Sequence, residues 1–112
     1  MKLREIVDQM GLEVLSEGNL DVDVEWAYIS DLLSDVMSGA QPSYLWLTIQ
    51  RHMNVIAVAK LKDLAGIVLA KGVKPSETVV EKAYAEGINI LLSDKPLFET
   101  GGELYKMLGE KK

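Results

Sequence analysis

The chain has no cysteine. Disulfides, zinc–thiolate centres and iron–sulfur clusters held by its own thiolates are thereby excluded. Histidine occurs once, as His52, so a metal site would have to be built mostly from carboxylates; neither a metal nor a cofactor is expected. No apolar run approaches the ~18 residues that span a bilayer, and Met1-Lys2-Leu3-Arg4-Glu5 lacks the apolar stretch of a secretory signal. A cytoplasmic location without membrane contact is the expectation. Positive charge is in deficit, with a net charge of −5, which disfavours binding to phosphate backbones and hence nucleic acid. Neither a Walker A loop nor a GxGxxG fingerprint occurs.

What is present is enough for one core. A length of 112 residues with 48% hydrophobic and 26% charged side chains suits a single domain over 1–112. The charge is uneven: residues 1–56 hold three Lys/Arg against nine Asp/Glu, and residues 57–112 hold nine Lys against eight Asp/Glu. This reads as a solvated surface, or as two halves offering different faces to a partner.

Leu3, Ile6, Val7 and Met10 recur at helical spacing and stop at Gly11, predicting a short first helix. Leu12 to Leu15 reads as a strand, and Ser16-Glu17-Gly18-Asn19 as a turn. Val22, Val24, Trp26 and Tyr28 alternate with polar residues, predicting a half-buried strand that pairs antiparallel with the first. From there strand and helix alternate four times. The strands are Val24 onwards, Tyr44–Ile49, Ile67–Ala70 and Ile88–Leu92. The helices lie near Leu32–Met37, Val55–Leu64, Glu77–Glu86 and Leu97–Leu108. Ser76 is an N-cap candidate and Gly87 a helix stop. Thr100 and Glu103 could form a capping box if the last helix begins at Gly101-Gly102. This alternation predicts an α/β domain of three layers, with a mixed, mostly parallel sheet flanked by helices.

Several segments resemble a known family. Tyr28-Ile29-Ser30-Asp31-Leu32-Leu33-Ser34-Asp35-Val36-Met37, Leu47 to Ala59, Ala65 to Gly72, Glu86-Gly87-Ile88 and Leu91-Leu92-Ser93-Asp94 together look like a stand-alone DRTGG domain. That module is also found in phosphotransacetylases and CBS-containing pyrophosphatases, and it is distantly similar to the N-terminal domain of HPr kinase/phosphorylase. Where the family has its Asp-Arg pair, this chain has Arg51-His52 or Gln50-Arg51; where it has Thr-Gly-Gly, this chain has Ala70-Lys71-Gly72. The resemblance implies the HPr kinase N-terminal-like fold and a non-catalytic accessory or regulatory domain, often a homodimer. It also implies a protein partner in a redox or regulatory complex, since stand-alone relatives tend to be encoded near iron hydrogenase components. With no cysteine in the chain, any cluster would belong to that partner.

In open α/β sheets, ligands bind outside the carboxyl ends of parallel strands. If the strands are parallel, one rim gathers Ser30 and Asp31, then Gln50, Arg51, His52 and Asn54, then Lys71 and Gly72, then Ser93 and Asp94. Arg51 offers a planar fork for phosphate or carboxylate beside a helix N-terminus, and Lys71 could add a second cation. A small anion, a nucleotide among them, is the natural ligand. The same residues could instead serve the fold, with Asn54 as a cap and Arg51 paired with Asp31 or facing solvent. His52 could be a general base only with Asp31, Asp94 or Ser93 in reach. Asp31 and Asp35, four apart, could face one cation or simply line a solvated helix face. Trp26 and Tyr28 should share one strand face, whose exposed part would suit self-association. The function expected first is therefore a regulatory domain acting through self-association and protein partners. Sensing of a small anion around Arg51 is the alternative, and catalysis ranks last.

Overall fold

The computed structural model describes residues 1–110. Five helices and five strands follow in the order α1 (Leu3–Met10), β1 (Glu13–Ser16), β2 (Trp26–Ile29), α2 (Leu33–Gly39), β3 (Tyr44–Thr48), α3 (Asn54–Leu61), β4 (Gly66–Leu69), α4 (Glu77–Ala85), β5 (Ile90–Leu92) and α5 (Leu97–Gly109). One five-stranded sheet has the order β1-β5-β4-β3-β2. Strands β2 to β5 are parallel neighbours, and β1 joins β5 antiparallel. The mixed, mostly parallel α/β sheet is thus as expected.

The layers follow from the residues. Strands β3, β4 and β5 are apolar at nearly every position, and their side chains alternate between two cores. Trp46, Ile67, Leu69, Ile90 and Leu92 face one core with Val36 of α2, Val55 and Ile56 of α3, and Val79 and Ala83 of α4. Leu45, Leu47, Val68 and Leu91 face the other, with Leu3 and Ile6 of α1 and Leu104 and Leu108 of α5. Three helices thus cover one face of the sheet and two cover the other. Among the described residues no helix is long and apolar enough to cross a membrane.

Two chain signals hold as read: Gly87 adopts φ +72° just beyond α4, and the Ser76 side chain accepts from Val79 N–H. Other expectations give way. The opening hairpin does not form, because β1 lies at the opposite edge of the sheet from β2. Val22 and Val24 leave the sheet; their main chain instead bonds back to Leu3 and Met1 beside α1. Only Trp26–Ile29 remains as strand. Trp26 and Tyr28 part company as well. The Trp26 ring meets Tyr105 of α5 edge-on at 5.4 Å between centroids, while the Tyr28 hydroxyl donates to Asp35 of α2. Trp26 opens an edge strand, where no further strand confines its ring. Helix α5 starts at Leu97 after Pro96, so no capping box forms at Thr100. Gly101 lies inside that helix because α5 crosses β2 closely; a Cβ there would stand 2.6 Å from Ile29 Cδ1.

Asn89 closes the structure at the amino ends of the strands. Its side chain, nearly fully buried, accepts from Gly18 N–H (2.7 Å) and donates to Asn19 and Ala65 carbonyls (2.8 and 3.0 Å). It thereby ties the loop after β1 to the β4–β5 pair. Asn89→Ala strands these buried groups, and a loss of about 2–4 kcal/mol is expected, read as a lower urea midpoint with unchanged slope.

Candidate functional site

Because β2 to β5 are parallel, the four loops predicted to share a rim do lie at one edge of the sheet. They do not form one site. Their side chains divide into two bonded corners and one open corner.

The first corner joins the β2 and β3 loops. Asp31 accepts from the Thr48 hydroxyl (2.7 Å) and from Ile49 N–H (3.0 Å), while the Gln50 side chain donates to the Asp31 carbonyl (2.9 Å). The Ser30 hydroxyl accepts from Leu32 N–H, and its carbonyl accepts the indole N–H of buried Trp46 (2.8 Å). Asp31 thus binds main chain and Thr48, and of the two alternatives for Arg51, pairing with Asp31 or facing solvent, it is the second that occurs. Asp31 and Asp35 do not converge either: Asp31 precedes α2 and faces β3, and Asp35 is bonded to Tyr28. The second corner joins the β4 and β5 loops. Lys71 and Gly72, at φ 68° and 67°, donate their N–H groups to the Lys95 and Ser93 carbonyls. The buried Ser93 hydroxyl bonds that of Thr100 at 2.8 Å and accepts from Lys95 N–H. Asp94 is exposed beside Gly72.

The open corner lies between the β3 and β4 loops. Arg51, His52 and Met53 face Lys74, Pro75, Ser76 and Thr78 across a cavity of about 420 Å³. Arg51 and His52 are exposed and have no side-chain hydrogen bond or ion pair among the described residues. Lys74 sits 3.1 Å from Glu13, so Arg51 is the cation at this corner without a carboxylate. Asn54 is not the cap it was expected to be. Met53 occupies the N-cap with no side-chain bond, and Asn54 begins the helix.

His52 bonds to none of Asp31, Ser93 or Asp94, and the Ser93 hydroxyl is buried in a bonded pair. A base oriented by a carboxylate and aimed at a hydroxyl, as nucleophilic catalysis requires, is therefore not assembled here. No group of three or more His, Asp or Glu is gathered for a metal among the described residues. Sequence reasoning named Arg51 and His52 but missed their true facing partners, Lys74, Ser76 and Thr78, which belong to the next crossover. It also missed Thr48, a polar residue closing an apolar strand, whose position was a usable signal.

Neither a family model nor a curated protein matches the chain. Among solved structures, it is similar to the CBS and DRTGG domains of the regulatory region of Clostridium perfringens pyrophosphatase, complexed with its activator diadenosine tetraphosphate. The TM-score is 0.71 at 13% identity; the match covers 92% of this chain, which spans 45% of that one. The Asp31 network makes a stability prediction. Asp31→Ala leaves the buried Thr48 hydroxyl without its acceptor and should cost about 1–3 kcal/mol, whereas Asp31→Asn, which keeps an oxygen there, should cost less; chemical denaturation compares them. At this identity the likeness concerns the fold, and the fold it supports is the DRTGG-like α/β domain that the sequence resembles.

Proposed function

We propose that this chain is a non-catalytic regulatory domain that senses a small anion at the open corner around Arg51. One observation carries the reading: Arg51 and His52 are exposed rim side chains free of internal bonds among the described residues, and they face a cavity with no carboxylate in its lining. A guanidinium beside the first turns of two helices suits phosphate or carboxylate. The structurally similar regulatory region, which is complexed with a polyanionic activator, lends support. Lys71, Gly72, Ser93 and Asp94 would hold the adjoining loops rather than the ligand.

Thermal unfolding with inorganic pyrophosphate, against chloride at matched ionic strength, tests this. At 100-fold excess over Kd the linkage is worth about 2.7 kcal/mol, a Tm rise of roughly 10 °C for a chain of this size. Arg51→Ala should abolish the rise; an undiminished rise in that variant, or none in the parent, would remove the reading.

A second reading, self-association, is favoured by a different face. Edge strand β2 and helix α5 expose Ile29 and Tyr105 (49% and 69%) at a small apolar cleft lined also by Gly101, and Phe98 (85%) lies about two turns before Tyr105 on the same helix. Monomers seldom leave large apolar side chains grouped in this way. Size-exclusion chromatography with light scattering should show a dimer that Phe98→Ser weakens; a monomeric parent protein at micromolar concentration sinks it. An association with an iron hydrogenase system in the cytoplasm would run through a protein partner bearing the cluster, because the chain has no thiolate to ligate one.

A further inference from the structure

The cavity at Arg51 does not end at the rim. Met53, which lines it, also lines a second groove of about 410 Å³ along the seam between α3 and α4. That groove passes Ile56, Ala57 and Leu61 and ends among Lys60, Lys82 and Glu86. Met53 is the shared wall of the two adjoining cavities, and taken together as one trough they offer a cationic end, an apolar middle and a second polar end. Glu86 sits there between two ammonium groups, 2.5 Å from Lys60 and 3.2 Å from Lys82.

We propose that the trough binds a nucleotide. Its phosphates lie at Arg51, its base lies flat on Met53 and Ala57, and the polar edge of the base meets the Lys60–Glu86–Lys82 cluster. The proposal rests on the anion-sensing reading above and extends it. The order of chemistries along the trough selects this class. An inorganic anion would use one end only and leave the apolar seam uncovered. An acyl or isoprenyl phosphate would bring its hydrocarbon terminus against three charged groups, and the groove, open along one side, would leave the chain's outer face in water. A base has an apolar face for the thioether of Met53 and a hydrogen-bonding edge for Glu86 and the lysines. The length agrees: the eight residues of α3 rise about 12 Å, the reach of a 5′-phosphate to the far edge of its base. Met53 and Leu61 are 39% and 74% exposed, so the apolar floor is accessible without rearrangement.

Three diphosphates that differ only in body test this by calorimetry on the full chain: pyrophosphate, ADP and geranyl diphosphate. ADP is expected to bind at least tenfold tighter than pyrophosphate, with geranyl diphosphate no tighter than pyrophosphate. Ala57→Gln places a bulky neutral side chain on the exposed seam. It should bring ADP down to the pyrophosphate affinity while leaving pyrophosphate unchanged, and Met53→Ser, which keeps the seam open, should weaken ADP more than pyrophosphate. Arg51→Ala should weaken all three. If pyrophosphate binds through Arg51 and ADP gains nothing, or geranyl diphosphate outbinds ADP, the nucleotide proposal is overturned and the anion reading stands. ADP binding that neither seam variant alters would overturn it too. If none of the three binds, both fall together.

Discussion

Burial of β3 and β4 on both faces is the constraint on which the rest depends. Leu45, Trp46, Leu47, Ile67, Val68 and Leu69 are all at most 2% exposed. A strand apolar on both sides needs a layer of helices above and below it. Parallel pairing of β2 through β5 in sequence order gives α2, α3 and α4 to one face, and the other falls to α1 and α5. The carboxyl-edge loops inherit their places from this arrangement.

The same arrangement separates loops that bond from loops that gape. Where neighbouring loops zip together by main chain, as Lys71-Gly72 does to Ser93 and Lys95, polar side chains nearby are drawn into internal bonds. The β2–β3 corner closes similarly through Asp31 and Thr48. Between β3 and β4 the two loops lead into α3 and α4, and beyond the Ala70 N–H to Thr48 carbonyl bond at their base no hydrogen bond joins them among the described residues. The corner left open there carries Arg51. Its reach along the α3–α4 seam comes from the same pair of helices, so corner and seam form one surface.

Charge is placed consistently with this division. Most ion pairs are exposed, as with Arg4 and Asp21, whose contact holds the Asp21 carboxyl below its ordinary range. Glu86 is held low by Lys60 and then Lys82. Such pairs add little stability singly, but they leave Arg51 as an uncommitted guanidinium at the rim.

By itself the sequence determined the strand–helix alternation, the parallel character of β2 to β5, the helix stop at Gly87 and the cap at Ser76, because periodicity, apolar density and capping are local signals. It determined too that no thiolate chemistry belongs to this chain. Only the tertiary structure decided that β1 joins β5 rather than β2, since strand pairing depends on which edge is left open once the crossovers are in place. The facing of Arg51 by Lys74, Ser76 and Thr78, the capture of Asp31 by Thr48 and the swing of Trp26 toward Tyr105 were likewise settled in three dimensions. Each joins residues well apart along the chain, and spacing within a segment carries no information about which segments will meet.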